Sequence, residues 1–186
     1  NSTALGLASR GYAVTVIDWR HNIGDKLCSG IVGRECTLRF PIDPALVYRN
    51  VRSAQVVAPA AASIRLEAAQ PQAQVIDRVA YVASFAQRAR DAGATYLLGQ
   101  RVRQIVPERD SVAVTTEEGR YRARGVVLAP GFGSPLTRQL GLGSAPDYAT
   151  GIQAEVSAKD LDDVTIYLGH DVAPGFFAWA VPTLPQ

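Results

Sequence analysis

The sequence of 186 residues contains no methionine, only two cysteines and no long apolar run. No apolar stretch approaches the ~20 residues that a helix needs to span a bilayer. Cys28 and Cys36 are eight positions apart, which is not the CxxC spacing of a metal or redox pair. We therefore predict no membrane span and no metal site. The residues alone leave open whether the cysteines are a pair of small buried side chains or have a chemical role.

Runs of like charge are also missing. The 19 basic and 17 acidic residues give a net charge of +2. Basic residues such as Arg10, Arg20 and Arg34 lie far apart, so we predict no face that binds nucleic acid. Apolar residues are plentiful at 47% of the chain, which is enough for a substantial core.

The first 18 residues match part of a dinucleotide-binding βαβ unit. Residues 1–9 predict a short apolar helix, and residues 13–17 predict a buried strand that ends at Asp18. In that unit a Gly-rich turn precedes the helix, and an acidic residue about 20 positions later holds a ribose. Asp18 is thus a candidate ribose ligand, with a solvated acid as the alternative. Counting back places the Gly-rich turn just before Asn1, so we expect a chain that begins inside the unit, as the missing initiator methionine also suggests.

The next part of the chain predicts a long loop, short strands and one long helix. The loop covers residues 19–44, and loops of this length in a compact domain are usually functional. Apolar positions at helical spacing predict a helix over 78–92, with Asp77 as its N-cap and Gly93 at its C-terminal end. Strands are predicted before this helix over 54–57, 63–66 and 74–76.

The second half of the chain is rich in predicted strands. These cover 95–98, 101–106, 111–116 and 121–124, with a hairpin turn at 117–119. Residues 125–129 (GVVLA) predict a strand buried on both faces, followed by a glycine turn and a helix over 135–140. Residues 151–156 and 164–168 predict two antiparallel strands, and an aromatic segment follows at 174–182.

Five segments carry a resemblance to a known family. Residues 126–131, with Ser134 and Arg138 beyond them, resemble the second flavin-side motif of FAD-dependent oxidoreductases, although Pro130 stands where those proteins usually carry Thr or Asp. Residues 75–78 and the turn at 92–94 resemble the para-hydroxybenzoate hydroxylase fold. Residues 26–30 (KLCSG) and 174–182 (PGFFAWAVP) resemble two segments of geranylgeranyl reductases. The chain is therefore similar to the geranylgeranyl reductase family over nearly its whole length.

The resemblance implies an α/β fold in which a Rossmann-like FAD/NAD(P)-binding domain is interleaved with a β-rich substrate domain. Residues 1–45 and 78–145 would form the FAD-binding part. Residues 46–77 would supply substrate-domain strands, and 146–186 would begin the main substrate-binding sheet. The resemblance also implies truncation at both ends, so we expect residues 1–186 to bind FAD weakly and to be inactive alone.

The resemblance further assigns roles to individual residues. The residues implied to bind FAD are Asp18, Arg78, Gly131, Gly133 and Ser134. Cys28 is implied to be catalytic, near the flavin, and the residues implied to face the substrate are Gly30, Phe176, Phe177 and Trp179. Several alternatives stay open: Arg78 as an exposed residue at the start of a helix, the aromatic residues as sheet core, and His170 as a proton donor or an ordinary surface histidine.

The implied activity is that of an FAD-dependent oxidoreductase that reduces isoprenoid C=C bonds. Reduced flavin would pass a hydride from N5 to one alkene carbon, while a proton reaches the other. NAD(P)H or a ferredoxin-type donor would be the reductant, and an isoprenoid or other apolar small molecule the substrate. We expect a cytoplasmic protein with reduced thiols, and peripheral membrane contact remains open. The alternatives are an FAD-dependent aromatic monooxygenase and an electron-transferring or quinone-linked flavoprotein.

Overall fold

The computed structural model describes residues 1–183, which fall into two compact units. The first unit contains residues 1–23 and 85–148, and the second contains residues 24–84 and the chain from residue 149 onward. The helices are α1 (Ser2–Ala8), α2 (Arg34–Arg39), α3 (Arg78–Asp91) and α4 (Pro135–Gln139). The strands are β1 (Thr15–Asp18), β2 (Ile31–Gly33), β3 (Val47–Val51), β4 (Ser53–Val57), β5 (Ser63–Glu67), β6 (Ala73–Ile76), β7 (Thr95–Leu98), β8 (Val102–Pro107), β9 (Val112–Thr116), β10 (Arg120–Ala123), β11 (Val164–Leu168) and β12 (Phe177–Ala180).

A parallel pair of strands lies at the centre of the first unit. β1 pairs with β7, and the register places Asp18 beside Leu98. A cluster of small buried side chains packs helix against helix here, and it consists of Ala4, Ala8, Ala89 and Ala94. Because alanine side chains are short, the helix backbones can approach closely. The predicted strand ending at Asp18 and the predicted first helix are confirmed.

The antiparallel sheet β10-β9-β8 completes the first unit. The turn at 117–119 joins β9 to β10 as predicted, and the Thr116 amide donates to the Gly119 carbonyl at 2.8 Å. A second apolar cluster joins this sheet to α4 and contains Ile105, Val114 and Leu136.

Helix α3 begins and ends as its sequence predicts. The Ala80 amide donates to Oδ1 of Asp77 at 2.9 Å, which satisfies an amide that the first turn of a helix leaves without a partner. Gly93 ends the helix in the left-handed conformation, with φ of +98°. The N-cap and the terminating glycine are therefore both confirmed.

The first sheet of the second unit has the order β2-β6-β3, with β6 in the middle. Val75 and Ile76 of β6 are the largest fully buried side chains of the described residues. The register between β3 and β6 shifts between Val47 and Arg49, which marks a β-bulge at Tyr48.

The second sheet of this unit, β12-β11-β4-β5, has two chemically different faces. Because side chains alternate along a strand and laterally paired residues share a face, the register defines each face. One face, here termed the apolar face, consists of Ala54, Val56, Ile64, Leu66, Val164, Ile166, Leu168, Phe177 and Trp179. The opposite face carries polar residues that include Ser53, Gln55, Arg65, Glu67 and Thr165.

Two strand predictions are wrong. Residues 125–129 form no strand, and Val126 and Val127 are 41% and 65% exposed. No strand of the described residues pairs with this segment, so its apolar run has no hydrogen-bonded neighbour to bury it. Residues 151–156 also form no strand, and Ile152 is 92% exposed. β4 and β12 already occupy both edges of β11, so no edge of β11 is free for this segment.

The loop predicted over residues 19–44 contains two short elements that the sequence analysis missed. β2 is three residues long and α2 has six residues, none of them buried. Neither is long enough to show a hydrophobic period. Strand β3 was also missed, and the other predicted strands agree with the structure within one or two residues at each end.

A polar network links β4, β5 and the residue before β11 near one end of these strands. Asp163 accepts hydrogen bonds from Oγ of Ser53 and from Nε of Arg65, the latter at 2.8 Å. Arg65 also pairs with Glu67 at 3.0 Å. The hydrogen bonds from Arg65 and then Ser53 lower the pKa of Asp163 below its ordinary value of 3.8.

We predict that the substitution Asp163→Asn lowers the melting temperature by about 2–4 °C near neutral pH. Since the folded-state pKa of Asp163 is depressed, its carboxylate stabilises the fold above the ordinary pKa, and this contribution is lost as the pH falls through the lowered pKa. The gap between wild type and D163N should therefore close below about pH 4. Calorimetry across pH measures it, with Asp162→Asn as the exposed neighbouring control. A gap that stays constant as pH falls would contradict this assignment.

Candidate functional site

Asp18 lies at the carboxyl end of β1, and both its carbonyl and its side chain accept hydrogen bonds. Its Oδ1 accepts a hydrogen bond from the Arg20 amide at 3.0 Å, and its carbonyl accepts from the Gln100 amide at 3.1 Å. The carboxylate is half-buried. These contacts fix the orientation of an acceptor group at the position where the βαβ unit places its ribose ligand.

Two arginines lie over the indole ring beside Asp18. The guanidinium carbons of Arg20 and Arg101 are 4.7 Å and 4.9 Å from the ring centroid of Trp19. Nothing in the local sequence places Arg101 beside Trp19, so this pair of contacts was not predicted.

Gly99 lies close to the side chain of His21. Its φ is +74°, and a Cβ there would lie 2.7 Å from Cε1 of His21, so both conformation and space favour glycine at this position.

The two glycines in the turn before α4 have the left-handed backbone conformation that glycine favours. Gly131 and Gly133 have φ of +78° and +75°, a region that other residues rarely adopt. A Cβ at either glycine would meet no described atom within 4 Å, so conformation rather than packing requires glycine here. Oγ of Ser134 accepts from the Leu136 amide at 3.3 Å and caps α4. The predicted helix after the turn is confirmed.

Asp18 and the glycine turn follow segments that pack against the same apolar cluster. Ile17, which precedes Asp18, contacts the cluster of Ile105, Val114 and Leu136. Leu128, which precedes the turn, contacts it as well. The structure therefore anchors these two predicted cofactor-binding segments of the first unit on a common core.

In the second unit, Arg78 contacts the loop that carries Cys28. Its Nη2 donates to the Gly24 carbonyl at 2.6 Å and also to the Lys26 carbonyl. Cys28 and Cys36 are exposed free thiols, so the alternative of two buried cysteines is wrong. Arg78 is half-buried, so the alternative of an exposed residue at the helix start is also wrong.

Gly30 has a structural reason to be glycine. Its φ is +76°, and a Cβ would lie 2.7 Å from the Ile76 carbonyl oxygen. The Ile76 amide donates to the Gly30 carbonyl at 3.0 Å. The contact therefore fixes the end of the loop that carries Cys28 against β6.

Tyr48 lies close enough to Asp77 for the carboxylate to affect its pKa, a proximity that the sequence does not predict. Burial, and then the charge of Asp77 and a hydrogen bond to it, raise the pKa of Tyr48. Tyr48 occupies the bulge in β3, and bulges often redirect a side chain next to a functional site. No local sequence signal identifies Tyr48, since the bulge depends on pairing with β6.

The predicted substrate-facing aromatic residues lie on and beside the apolar face. Phe177 and Trp179 belong to that face, with their ring centroids 6.0 Å apart in an edge contact. Phe176 is exposed and stacks on Phe177 at 4.4 Å. Phe177 and Trp179 are partly buried, and their role in facing the substrate remains a prediction, with sheet core as the alternative.

Outside these segments, His170 is an exposed residue whose Nδ1 lies 3.9 Å from the Asp171 carboxylate. Within residues 1–183, no helix is long and apolar enough to cross a membrane. The same residues contain no group of three or more His, Cys, Asp or Glu side chains that could hold a metal ion.

Comparison with known proteins identifies the family. The profile described as "FAD dependent oxidoreductase" matches residues 49–172. The chain belongs to this family. It is 28% identical over 190 residues to a digeranylgeranylglycerophospholipid reductase of Methanosphaerula palustris, covering 94% of this chain and 48% of that protein. It is 24% identical to a chloroplastic geranylgeranyl diphosphate reductase of Oryza sativa, covering 94% of this chain and 42% of that protein.

A solved structure shares the fold. The crystal structure of a geranylgeranyl bacteriochlorophyll reductase-like protein from Thermoplasma acidophilum matches with a TM-score of 0.76 at 21% identity, covering 98% of this chain and 50% of that one. The predicted fold class and the resemblance to geranylgeranyl reductases are confirmed. The chain spans about half the length of the curated relatives that it matches.

The residues of the first unit fit the FAD that the family name specifies. Asp18 offers an oriented carboxylate for hydroxyl groups, and Gly131 and Gly133 leave space where a side chain would otherwise stand. The particular roles of these residues remain predictions.

We predict that Gly30→Ala lowers the free energy of unfolding by about 1–3 kcal/mol, because alanine is strained at positive φ and its Cβ would meet the Ile76 carbonyl. Urea denaturation measures the change. Gly33→Ala is the matched control, since Gly33 has φ of −70° and open space around its Cβ position. Equal stabilities of the two variants would show that the close approach of Gly30 to Ile76 is not a constraint.

Proposed function

We propose that the protein acts in the FAD-dependent reduction of C=C bonds in an isoprenoid chain. The observation that supports this most directly is the apolar face of the β12-β11-β4-β5 sheet. Its residues in the described structure are all apolar, whereas the opposite face is largely polar. The names of the relatives, which specify geranylgeranyl compounds, agree with a hydrocarbon ligand of this kind.

The apolar face has exposed side chains that a hydrocarbon could cover. Ile64 and Leu66 are 59% and 53% exposed, and Leu168 is also exposed. Burial of hydrocarbon contributes roughly 0.8 kcal/mol per CH₂ group, so an isoprenoid chain can bind without polar contacts. At the other edge of the sheet, Phe177 and Trp179 offer rigid aromatic surface.

The proposed roles of the individual residues follow from their positions. Asp18 would hold the ribose, while Gly131, Gly133 and Ser134 would let the backbone approach the cofactor. Bound FAD supplies the hydride equivalent for the reduction. Cys28 is an exposed free cysteine; Cys28 and Gly30 would face the reacting double bond, where Cys28 would deliver the proton to the second alkene carbon.

Reduction of one double bond consumes two electrons and two protons, so the reaction also requires a reductant. We propose NAD(P)H or a ferredoxin-type protein in this role.

A lipid substrate would be reached most directly from a membrane surface, so the proposal includes a cytoplasmic protein with peripheral membrane contact.

Anaerobic product analysis tests this function without requiring the natural donor. The full-length protein, which is used for every activity measurement below, is loaded with FAD, reduced chemically and incubated with a geranylgeranyl lipid, and the product is measured by mass spectrometry. We expect a gain of two hydrogens for each double bond reduced. A hydroxylated aromatic product under oxygen, or transfer of electrons to a quinone with no alkene reduced, would instead support the monooxygenase or electron-carrier alternative.

Substitutions on the two faces of the sheet test the proposed binding surface. We predict that Trp179→Ala raises KM for the lipid about 10-fold, because it removes apolar contact area worth about 1.4 kcal/mol. Tyr167→Ala is the matched control, since Tyr167 lies on the same sheet but on the opposite face. Equal effects on KM would exclude the apolar face as the lipid-binding surface.

A further inference from the structure

The segment from Gly24 to Gly30, here termed the Cys28 loop, is attached to the β6–α3 junction at both ends. At its start, a Cβ on Gly24 would lie 2.9 Å from the Val79 carbonyl oxygen. At its end, the corresponding distance from Gly30 to the Ile76 carbonyl oxygen is 2.7 Å. Both glycines have positive φ, so neither position accepts a side chain without strain. The two ends of the loop therefore lie directly against Ile76 and Val79.

Arg78 lies between these two contact points in the sequence and reaches back to the loop. Its Nη2 donates to the carbonyls of Gly24 and Lys26. Hydrogen bonds from a charged donor are stronger than those between neutral groups. The Nε of Arg78 is buried and has no acceptor among the described residues, so the guanidinium stem is enclosed rather than solvated. An arginine that merely extended into solvent would keep this atom in water.

These contacts leave a short exposed arch between two fixed ends. Leu27 is 66% exposed, and Cys28 is exposed as well. The position of the arch therefore depends on how firmly the carbonyls of Gly24 and Lys26 are held. The Arg78 side chain donates to both of these carbonyls.

We propose that Arg78 is a positioning residue that fastens the Cys28 loop to the β6–α3 junction, rather than a residue whose main contact is the flavin. Its effect on turnover rests on the function proposed above, since Cys28 would act through the position that Arg78 gives it. Its effect on the loop does not depend on that function.

Digestion with endoproteinase Lys-C tests the loop contact, because the chain has lysines only at positions 26 and 159. Lys26 lies in the Cys28 loop, and Lys159 lies in an exposed irregular segment of the same unit, where it serves as the internal reference. A protease needs a locally opened chain, so the cleavage rate follows the population of the opened loop. Mass spectrometry of the folded protein measures the rate at each lysine.

We expect Arg78→Met to accelerate cleavage after Lys26 about 10-fold or more, as loss of a charge-assisted hydrogen bond implies, with cleavage after Lys159 unchanged. Arg78→Gln retains two N–H donors and should restore part of the protection. Arg88→Met, an exposed arginine on the same helix, should leave both rates unchanged. Unaltered cleavage after Lys26 in R78M, or equal acceleration at both lysines, would overturn the proposal.

The lipid reductase assay, carried out on the full-length protein, separates failure of this proposal from failure of the proposed function. R78M should lower kcat more than it changes KM for the lipid, because the loop acts at the reacting carbons rather than along the hydrocarbon chain. If R78M loses protection at Lys26 while the wild type reduces no alkene, the loop contact stands and the proposed function fails. If the wild type reduces the lipid and R78M keeps full protection, the function stands and the positioning role fails.

Discussion

Burial of strand β6 is the constraint on which the candidate site of the second unit depends. Val75 and Ile76 are almost completely buried, and β6 is hydrogen-bonded on both sides by β2 and β3. The backbone of Ile76 then holds Gly30, and the residues that follow β6 are Asp77, the cap of α3, and Arg78, which binds the Cys28 loop. Because β6 is paired on both sides and its apolar side chains are buried, it cannot shift without exposing apolar surface. It is therefore a rigid element against which the irregular loop can pack.

The second sheet contributes a different property, a separation of polar and apolar residues between its two faces. The network of Asp163 with Ser53 and Arg65 ties β4, β5 and the start of β11 together at the edge of the sheet. The apolar face carries no polar side chain on the four described strands. This division is consistent with the hydrocarbon binding that we propose for the apolar face.

Structure that depends on neighbouring residues was predictable from the sequence, whereas structure that depends on distant strands was not. Asp77 and Gly93 act within a turn of α3, so the bounds of that helix followed from neighbouring residues. The apolar run at 125–129 and the segment GIQAEV at 151–156 both favour strands by their composition, but strand formation also requires a neighbour with a free edge. The same limit applied to the site: motifs indicated Asp18, Cys28 and Arg78, whereas the contact of Arg78 with the loop appears only when β6 and residues 24–30 are brought together.

The most direct test of this account is hydrogen–deuterium exchange at the β6–α3 junction. The amides of Ile76 and Asp77 donate to the carbonyls of Gly30 and Leu46 at 3.0 Å and 2.8 Å. We predict that these two amides exchange among the slowest of the second unit, while the amides of the exposed arch at Leu27 and Cys28 exchange rapidly. Exchange at Ile76 as fast as at Leu27 would contradict the claim that β6 is the fixed element from which the Cys28 loop is held.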